Sequence, residues 1–151
     1  MKVSSTGLHS IKSVLMIELP RNFAANGDLV VMERDRQIPF TIVRVFMVLA
    51  QAGAIRGQHA HKQCAQFLTC SAGRVDVVCD DGLEKATYVL DRPGMGLLIP
   101  PSIWAQQTYQ APGSLLTVLC DRPYEAEDYI RDYRAFLDYR MNSGQVDTEQ
   151  R

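Results

Sequence analysis

The chain has 151 residues, of which 46% are hydrophobic, and a formal net charge of −1 with an isoelectric point near 6.3. That length supports one domain with a real core and is short for two, and the scattered Lys and Arg residues leave no electrostatic footprint for nucleic acid. No apolar run approaches the length of a membrane span, and the N-terminus lacks the apolar core of a signal peptide, so no membrane partner is expected and the chain is expected in the cytoplasm.

In chain order, short apolar runs separated by turn signals predict strands over Val14–Leu19, Leu29–Met32, Thr41–Leu49, Ile55–His61, Gln66–Cys70, Arg74–Cys79, Lys85–Leu90, Gly96–Ile99, Ile103–Tyr109 and Leu115–Cys120. The clearest hairpin lies at "CDDGLEK", where Asp81-Gly82 supplies the residues that a tight turn needs. In "EAEDYIRDYRAFLDYR" the spacing of Tyr129, Ile130, Tyr133, Phe136 and Leu137 predicts one amphipathic helix, with Glu127 and Arg131 placed as an i,i+4 ion pair. Residues 141–151 read as a frayed tail, and 1–151 reads as a single domain. Cys64, Cys70, Cys79 and Cys120 show no CxxC spacing and sit in apolar runs, which predicts buried, reduced thiols.

The chemistry concentrates in "RGQHAHKQCAQF". His59 and His61 are two apart, so on a strand they share one face at about 6.5–7 Å along the chain. With Arg56 and Lys62 they form a polar cluster in an otherwise apolar barrel, which is costly unless used, although packing without chemistry is the plainer alternative. The surrounding spacing is that of the cupin motifs. Five residues separate Gly53 from His59, four separate His61 from Gln66, and six separate Gln66 from Gly73; Gly94 precedes Pro100-Pro101-Ser102 by five, with Ala105 where a second-motif histidine would fall. The predicted fold is therefore all-β, a cupin-type jelly-roll β-barrel with a C-terminal helix. A metal cupin uses the two histidines, a glutamate and the later histidine. With Gln66 and Ala105 in the last two places, the expected site holds no metal, unless a carboxylate such as Asp76 or Asp80 completes the set.

Beyond the cupin skeleton, "GDLVVMERDRQIPFTIVRVF", "RGQHAHK", "VDVVCDDG", "GMGLLIPPSIW" and "EAEDYIRDYRAFL" resemble, in order, blocks of the dTDP-4-keto-6-deoxyglucose 3,4-ketoisomerases, the WxcM-like cupins of bacterial deoxysugar pathways. The resemblance implies a homodimer without metal or other cofactor that moves the carbonyl of a dTDP-linked 4-keto-6-deoxyhexose from C4 to C3. It also implies products that feed transaminases making amino sugars for O-antigens, S-layer glycans and antibiotics. The family histidines fall on His59 and His61, the motif arginine on Arg56, the arginine after "PFTIV" on Arg44, and a polar barrel position on Gln66. Two positions depart from the pattern: Phe46 to Leu49 hold no tyrosine where members usually have one implicated in proton handling, and Ala105 follows Trp104 where many have histidine.

Shifting a carbonyl between neighbouring carbons needs an α-proton removed, an enediolate stabilised and a proton returned, which two imidazoles on one face can do without a redox cofactor. One histidine would be the C3 base and the other the acid. Arg44 and Arg56 are the candidates for the diphosphate, and Trp104 for stacking on thymine or the sugar. Two rival readings are a non-catalytic sugar-nucleotide-binding cupin, which the missing tyrosine favours, and a metal-dependent cupin enzyme.

Overall fold

The computed structural model describes residues 8–149, with side chains described through residue 143. Twelve strands are present among these residues: β1 (Leu15–Glu18), β2 (Arg21–Ala24), β3 (Gly27–Val30), β4 (Arg44–Ala50), β5 (Ile55–His61), β6 (Gln66–Ala72), β7 (Val75–Asp80), β8 (Lys85–Leu90), β9 (Met95–Ile99), β10 (Trp104–Tyr109), β11 (Ser114–Cys120) and β12 (Tyr129–Ile130), followed by one helix, α1 (Tyr133–Glu149). Two antiparallel five-stranded sheets, in the orders β1-β9-β6-β11-β4 and β12-β5-β10-β7-β8, face each other as a jelly-roll sandwich. Leu68, Cys70, Leu97, Leu116 and Val118 from one sheet and Val75, Val77, Cys79, Ala105 and Tyr109 from the other fill the space between them. Each is an alternate residue of its strand, the period-2 pattern of a sheet with one face on the core.

β6 and β9 are buried on both faces. Their outer side is covered by a second apolar cluster in which Ile38 and Phe40, from the segment between β3 and β4, pack on Phe67, Leu98 and Leu119. The β7–β8 hairpin turns as expected at Asp81-Gly82: the Asp81 carboxylate accepts the N–H groups of Leu83 (2.8 Å) and Glu84 (2.7 Å), and Gly82 takes φ +90°. All four cysteines are free and buried. No helix among the described residues is long and apolar enough to cross a membrane.

Three local expectations need correction. β2 is a strand the apolar pattern does not reveal, because its residues are mostly exposed; it pairs only with β3 across a turn before Gly27, for which Asn26-Gly27 is the sequence signal. The strand predicted from Thr41 begins at Arg44.

The predicted helix over 125–140 is really two things. Ala126–Asp128 is a 3-10 turn and Tyr129–Ile130 is the edge strand β12, paired Tyr129 to His61 and Ile130 to Ala60. Pairing satisfies the otherwise open edge of β5, a gain that outweighs the helical periodicity of those residues. The helix starts only after Asp132, whose carboxylate caps it by accepting the Ala135 N–H at 2.9 Å. Glu127 and Arg131 therefore have no helical i,i+4 geometry, and Arg131 lies instead over the Tyr129 ring at 4.3 Å. The helix runs past Met141 to Glu149, where a frayed tail is expected from the sequence; residues 150 and 151 lie outside the described ones.

Candidate active site

β5 reaches its geometry through a bulge. In a regular strand Arg56 and His59, three apart, would point to opposite faces. Against β10, however, Ala105 pairs with His59 while Gln106 pairs with Gly57, so Gln58 is an extra residue. Gly57 (φ +83°) and Gln58 (φ +54°) take the left-handed conformation that this needs. The inserted residue changes the parity of the strand. Arg56 now sits opposite Gln107, and Gln107 lines the same internal cavity as His59, His61, Cys64, Gln66, Ile103 and Ala105. Arg56 thus lies on the cavity side of its strand, and its charge acts on the buried Tyr109 hydroxyl.

The two imidazoles meet edge to face with ring centroids 5.0 Å apart, and each is held by a different acceptor. His59 Nδ1 lies 2.9 Å from the Gly57 carbonyl, which can only accept, so the proton is on Nδ1 and Nε2 carries the lone pair. Burial, then the neighbouring charge of His61, push the His59 pKa down to about 4, so this ring is neutral at physiological pH. His61 Nδ1 lies 2.9 Å from Asp128 Oδ2. That carboxylate also accepts the backbone N–H groups of Gln63 (2.6 Å) and Cys64 (3.3 Å). Burial works to raise the Asp128 pKa, but the His61 ring and these amides hold it below the usual carboxylate value. Asp128 is thereby an anion that orients His61 and balances any proton it carries. His61 Nε2 is buried and has no hydrogen-bond partner among the described residues, which leaves it free for a ligand.

Tyr129, like Asp128, is a residue that reading the sequence missed. β12 lays its ring 5.1 Å from the His59 ring and 4.4 Å from the His61 ring. Arg44 reaches the same group: its guanidinium interacts with the Tyr129 hydroxyl, lies over the rings of Phe46 (5.4 Å) and Tyr124 (5.7 Å), and donates from Nη2 to Cys120 Sγ at 3.5 Å. The Nε of Arg44 is buried without a partner among the described residues. A tyrosine is therefore present beside the histidines, supplied from the other end of the chain rather than from β4. The repeated tyrosines of "DYIRDY" were the available signal, obscured by the helical reading of that segment.

Gln66 lines the cavity and donates from Nε2 to Cys120 Sγ at 3.6 Å. Trp104 is not brought to the site. It alternates with Ala105 on β10, so its ring lies on the outer face of the sheet under α1, 5.3 Å from Tyr133 and 5.7 Å from Phe136. Where the sequence predicts stacking on substrate, the ring lies outside the histidine cavity and packs under α1.

The metal alternatives gain nothing. Asp76 is engaged with Arg74 and Gln110, and Asp80 with Tyr133, none of which line the histidine cavity. His61, Cys64 and Asp128 have candidate ligand atoms within 4.8 Å of one another, but the His61 nitrogen and the carboxylate are already joined by their own hydrogen bond.

The family model for WxcM-like, C-terminal proteins (FdtA) matches residues 12–141. The chain is 34% identical over 125 residues to the TDP-4-oxo-6-deoxy-alpha-D-glucose-3,4-oxoisomerase of Aneurinibacillus thermoaerophilus, covering 82% of this chain and 90% of that protein. Its fold matches the TDP-quinovose 3,4-ketoisomerase WlaRB of Campylobacter jejuni (TM-score 0.81, 32% identity, 85% of this chain and 99% of that one). It also matches a histidine-to-asparagine mutant of the 3,4-ketoisomerase QdtA of Thermoanaerobacterium thermosaccharolyticum in complex with TDP-4-keto-6-deoxyglucose (TM-score 0.84, 29% identity, 88% and 97%). With its jelly-roll sandwich, its paired histidines and a family match over most of its length, the chain belongs to the FdtA family of WxcM-like proteins.

Proposed function

We propose that the protein is a dTDP-4-keto-6-deoxyglucose 3,4-ketoisomerase, an isomerase that moves the keto group of the hexose from C4 to C3. The observation that carries this reading is the pair of differently held imidazoles in one cavity, His59 neutral with a free Nε2 and His61 backed by Asp128. His59 takes the proton from C3. His61 donates a hydrogen bond from Nε2 to the developing enediolate oxygen, and Asp128 balances the positive charge that this requires. The Tyr129 hydroxyl, held by Arg44, serves proton delivery on the C4 side, which removes the main ground for a non-catalytic binding module. Each proton taken from carbon or oxygen is returned to carbon or oxygen, so no redox cofactor or metal is called for. Arg56 and Arg44 contribute positive charge for the diphosphate.

The protein acts in the cytoplasm, where its 3-keto product feeds a transaminase of deoxyaminosugar biosynthesis for an O-antigen, S-layer or antibiotic glycan. It works as a homodimer. β4 is an edge strand whose outward residues Val45, Met47 and Leu49 are apolar and exposed, and the β2–β3 hairpin stands apart with Phe23 and Leu29 exposed. A second copy would cover both.

The test is incubation with dTDP-4-keto-6-deoxyglucose in D₂O with chelator present, followed by NMR. A 3-keto product carrying deuterium at C4 is expected, and His59→Asn and His61→Asn should each lower kcat by at least about 10²-fold. Binding without exchange or isomerisation would favour the binding module, and activity lost to the chelator would favour the metal enzyme.

A further inference from the structure

The cavity wall at Gln66 is backed by a sulfur that neither the motif nor the mechanism uses. Cys120 ends β11, directly opposite Arg44 on β4 and Gln66 on β6 in the sheet register. Residues directly opposite in a sheet share a face, so three side chains from three adjacent strands converge at one level. Arg44 Nη2 at 3.5 Å and Gln66 Nε2 at 3.6 Å both donate to the Cys120 sulfur. Both groups are donors only at these atoms, and a sulfur accepting from two donors, one of them cationic, is best served by carrying no proton of its own. Among the described residues Arg44 makes no ion pair with a carboxylate, and the acceptors that face its half-buried guanidinium are the Cys120 sulfur and the Tyr129 hydroxyl.

We propose that Cys120 stands in the folded protein as a thiolate, and that this anion positions Arg44 and Gln66 for the substrate. Cys64, from the segment before β6, adjoins the same sulfur. The Cys64 thiol donates to the Ala65 carbonyl at 3.4 Å. Contact with Cys120 and then burial push the Cys64 thiol strongly up, so it keeps its proton. Contact with Cys64, against the opposing effect of burial and with the help of Arg44 and Gln66, brings Cys120 down to about 6. The other titratable groups facing the pair are Asp121 and Asp128, which act on Cys64, and His61, whose ring nitrogen lies within 4.8 Å of the Cys64 sulfur. At neutral pH the thiolate holds the guanidinium between the β-sheet and the Tyr129 hydroxyl. Below pH 6 it gains a proton, and the fixed position of Arg44 is lost.

The claim about the thiolate stands apart from the proposed reaction, whereas the positioning claim rests on it, and two readouts on the full-length protein separate them. Thiolate absorbance at about 240 nm should titrate with a midpoint near 6 in the wild type, titrate at a higher midpoint in Cys64→Ser, which alters the contact that lowers it most, and be missing from Cys120→Ser and Cys120→Ala. Calorimetry with dTDP at neutral pH should give a Kd raised at least about tenfold in both Cys120 variants, and this gap between wild type and Cys120→Ala should close as the pH falls through 6, a comparison in which the titration of the ligand's own terminal phosphate cancels. Should the Cys120 variants not fold, Arg44→Gln must move the thiolate midpoint upward by at least about one pH unit, since it removes the cation that stabilises the anion. No titrating absorbance near pH 6 in the wild type, or the same absorbance in Cys120→Ser, overturns the thiolate. An unchanged dTDP affinity in folded Cys120 variants overturns its positioning role. A wild type that binds no dTDP sinks the substrate reading, while the absorbance titration still decides the state of Cys120.

Discussion

Asp128 and His61 are 67 residues apart in the chain and 2.9 Å apart in space, a buried carboxylate gripping one ring nitrogen so that the other faces the cavity. The contact exists because the 3-10 turn carrying Asp128 leads into β12, which is paired with the end of β5 that carries His61.

Replacing Asp128 with Asn should leave the shape but remove the anion that faces His61. We expect kcat to fall by at least about 10²-fold with KM changed only a few-fold, since the carboxylate touches no substrate. A kcat within threefold of wild type would show that His61 needs no anion behind it.

His59 gives stability a defined pH dependence. Its folded pKa of about 4 lies below the ordinary value of 6.5, so between these values the unfolded chain binds more protons than the folded one. Stability is therefore fully present above 6.5 and falls as the pH drops toward 4, by at most about 1.4 kcal/mol per pH unit from this group. Denaturant melts of the wild type and His59→Gln across that window should differ in slope, the variant being flatter; parallel slopes would mean that His59 is not held neutral by the fold.

Gly57 makes the bulge possible. At φ +83° any other L residue is strained, and an added Cβ would lie 3.1 Å from the Ala105 carbonyl oxygen. Gly57→Ala should lower kcat by about 10²-fold by displacing His59 and its carbonyl acceptor, with a smaller loss in melting temperature than a core truncation gives. Full activity in this variant would show that the parity change in β5 is unimportant.

Trp104 serves packing under α1. Trp104→Ala should destabilise the protein by about 2–4 kcal/mol while leaving the KM for the nucleotide sugar within about twofold, as measured by urea melts and steady-state kinetics. A raised KM at unchanged stability would restore the stacking role expected from its place in the sequence.

Light scattering at micromolar concentration should give a mass about twice 16.9 kDa, and Leu49→Asp, at a position 77% exposed in the isolated chain, should reduce it to the monomer without loss of fold. A wild-type mass near 16.9 kDa would contradict the dimer.

Local pattern alone was enough for an all-β sandwich or barrel, because strands one face of which meets a core announce themselves by alternation and bounded length; β5 and β8 fall on the expected residues, β10 is one residue shorter, and only the pairing shows two separate sheets rather than a closed barrel. The His59-x-His61 spacing likewise made a shared face predictable, since a strand repeats every two residues. What the chain order could not convey was decided by pairing at long range. Arg56 joins the histidine face only because β10 forces a bulge into β5, which counts residues across two strands rather than along one. Tyr129 and Asp128 become site residues because an open strand edge captures a segment that, taken by itself, has the periodicity of a helix. Trp104 leaves the site for the opposite reason: next to Ala105 in sequence, it must face away from the cavity, and α1 supplies the aromatic rings that make the outer face the favourable place for it.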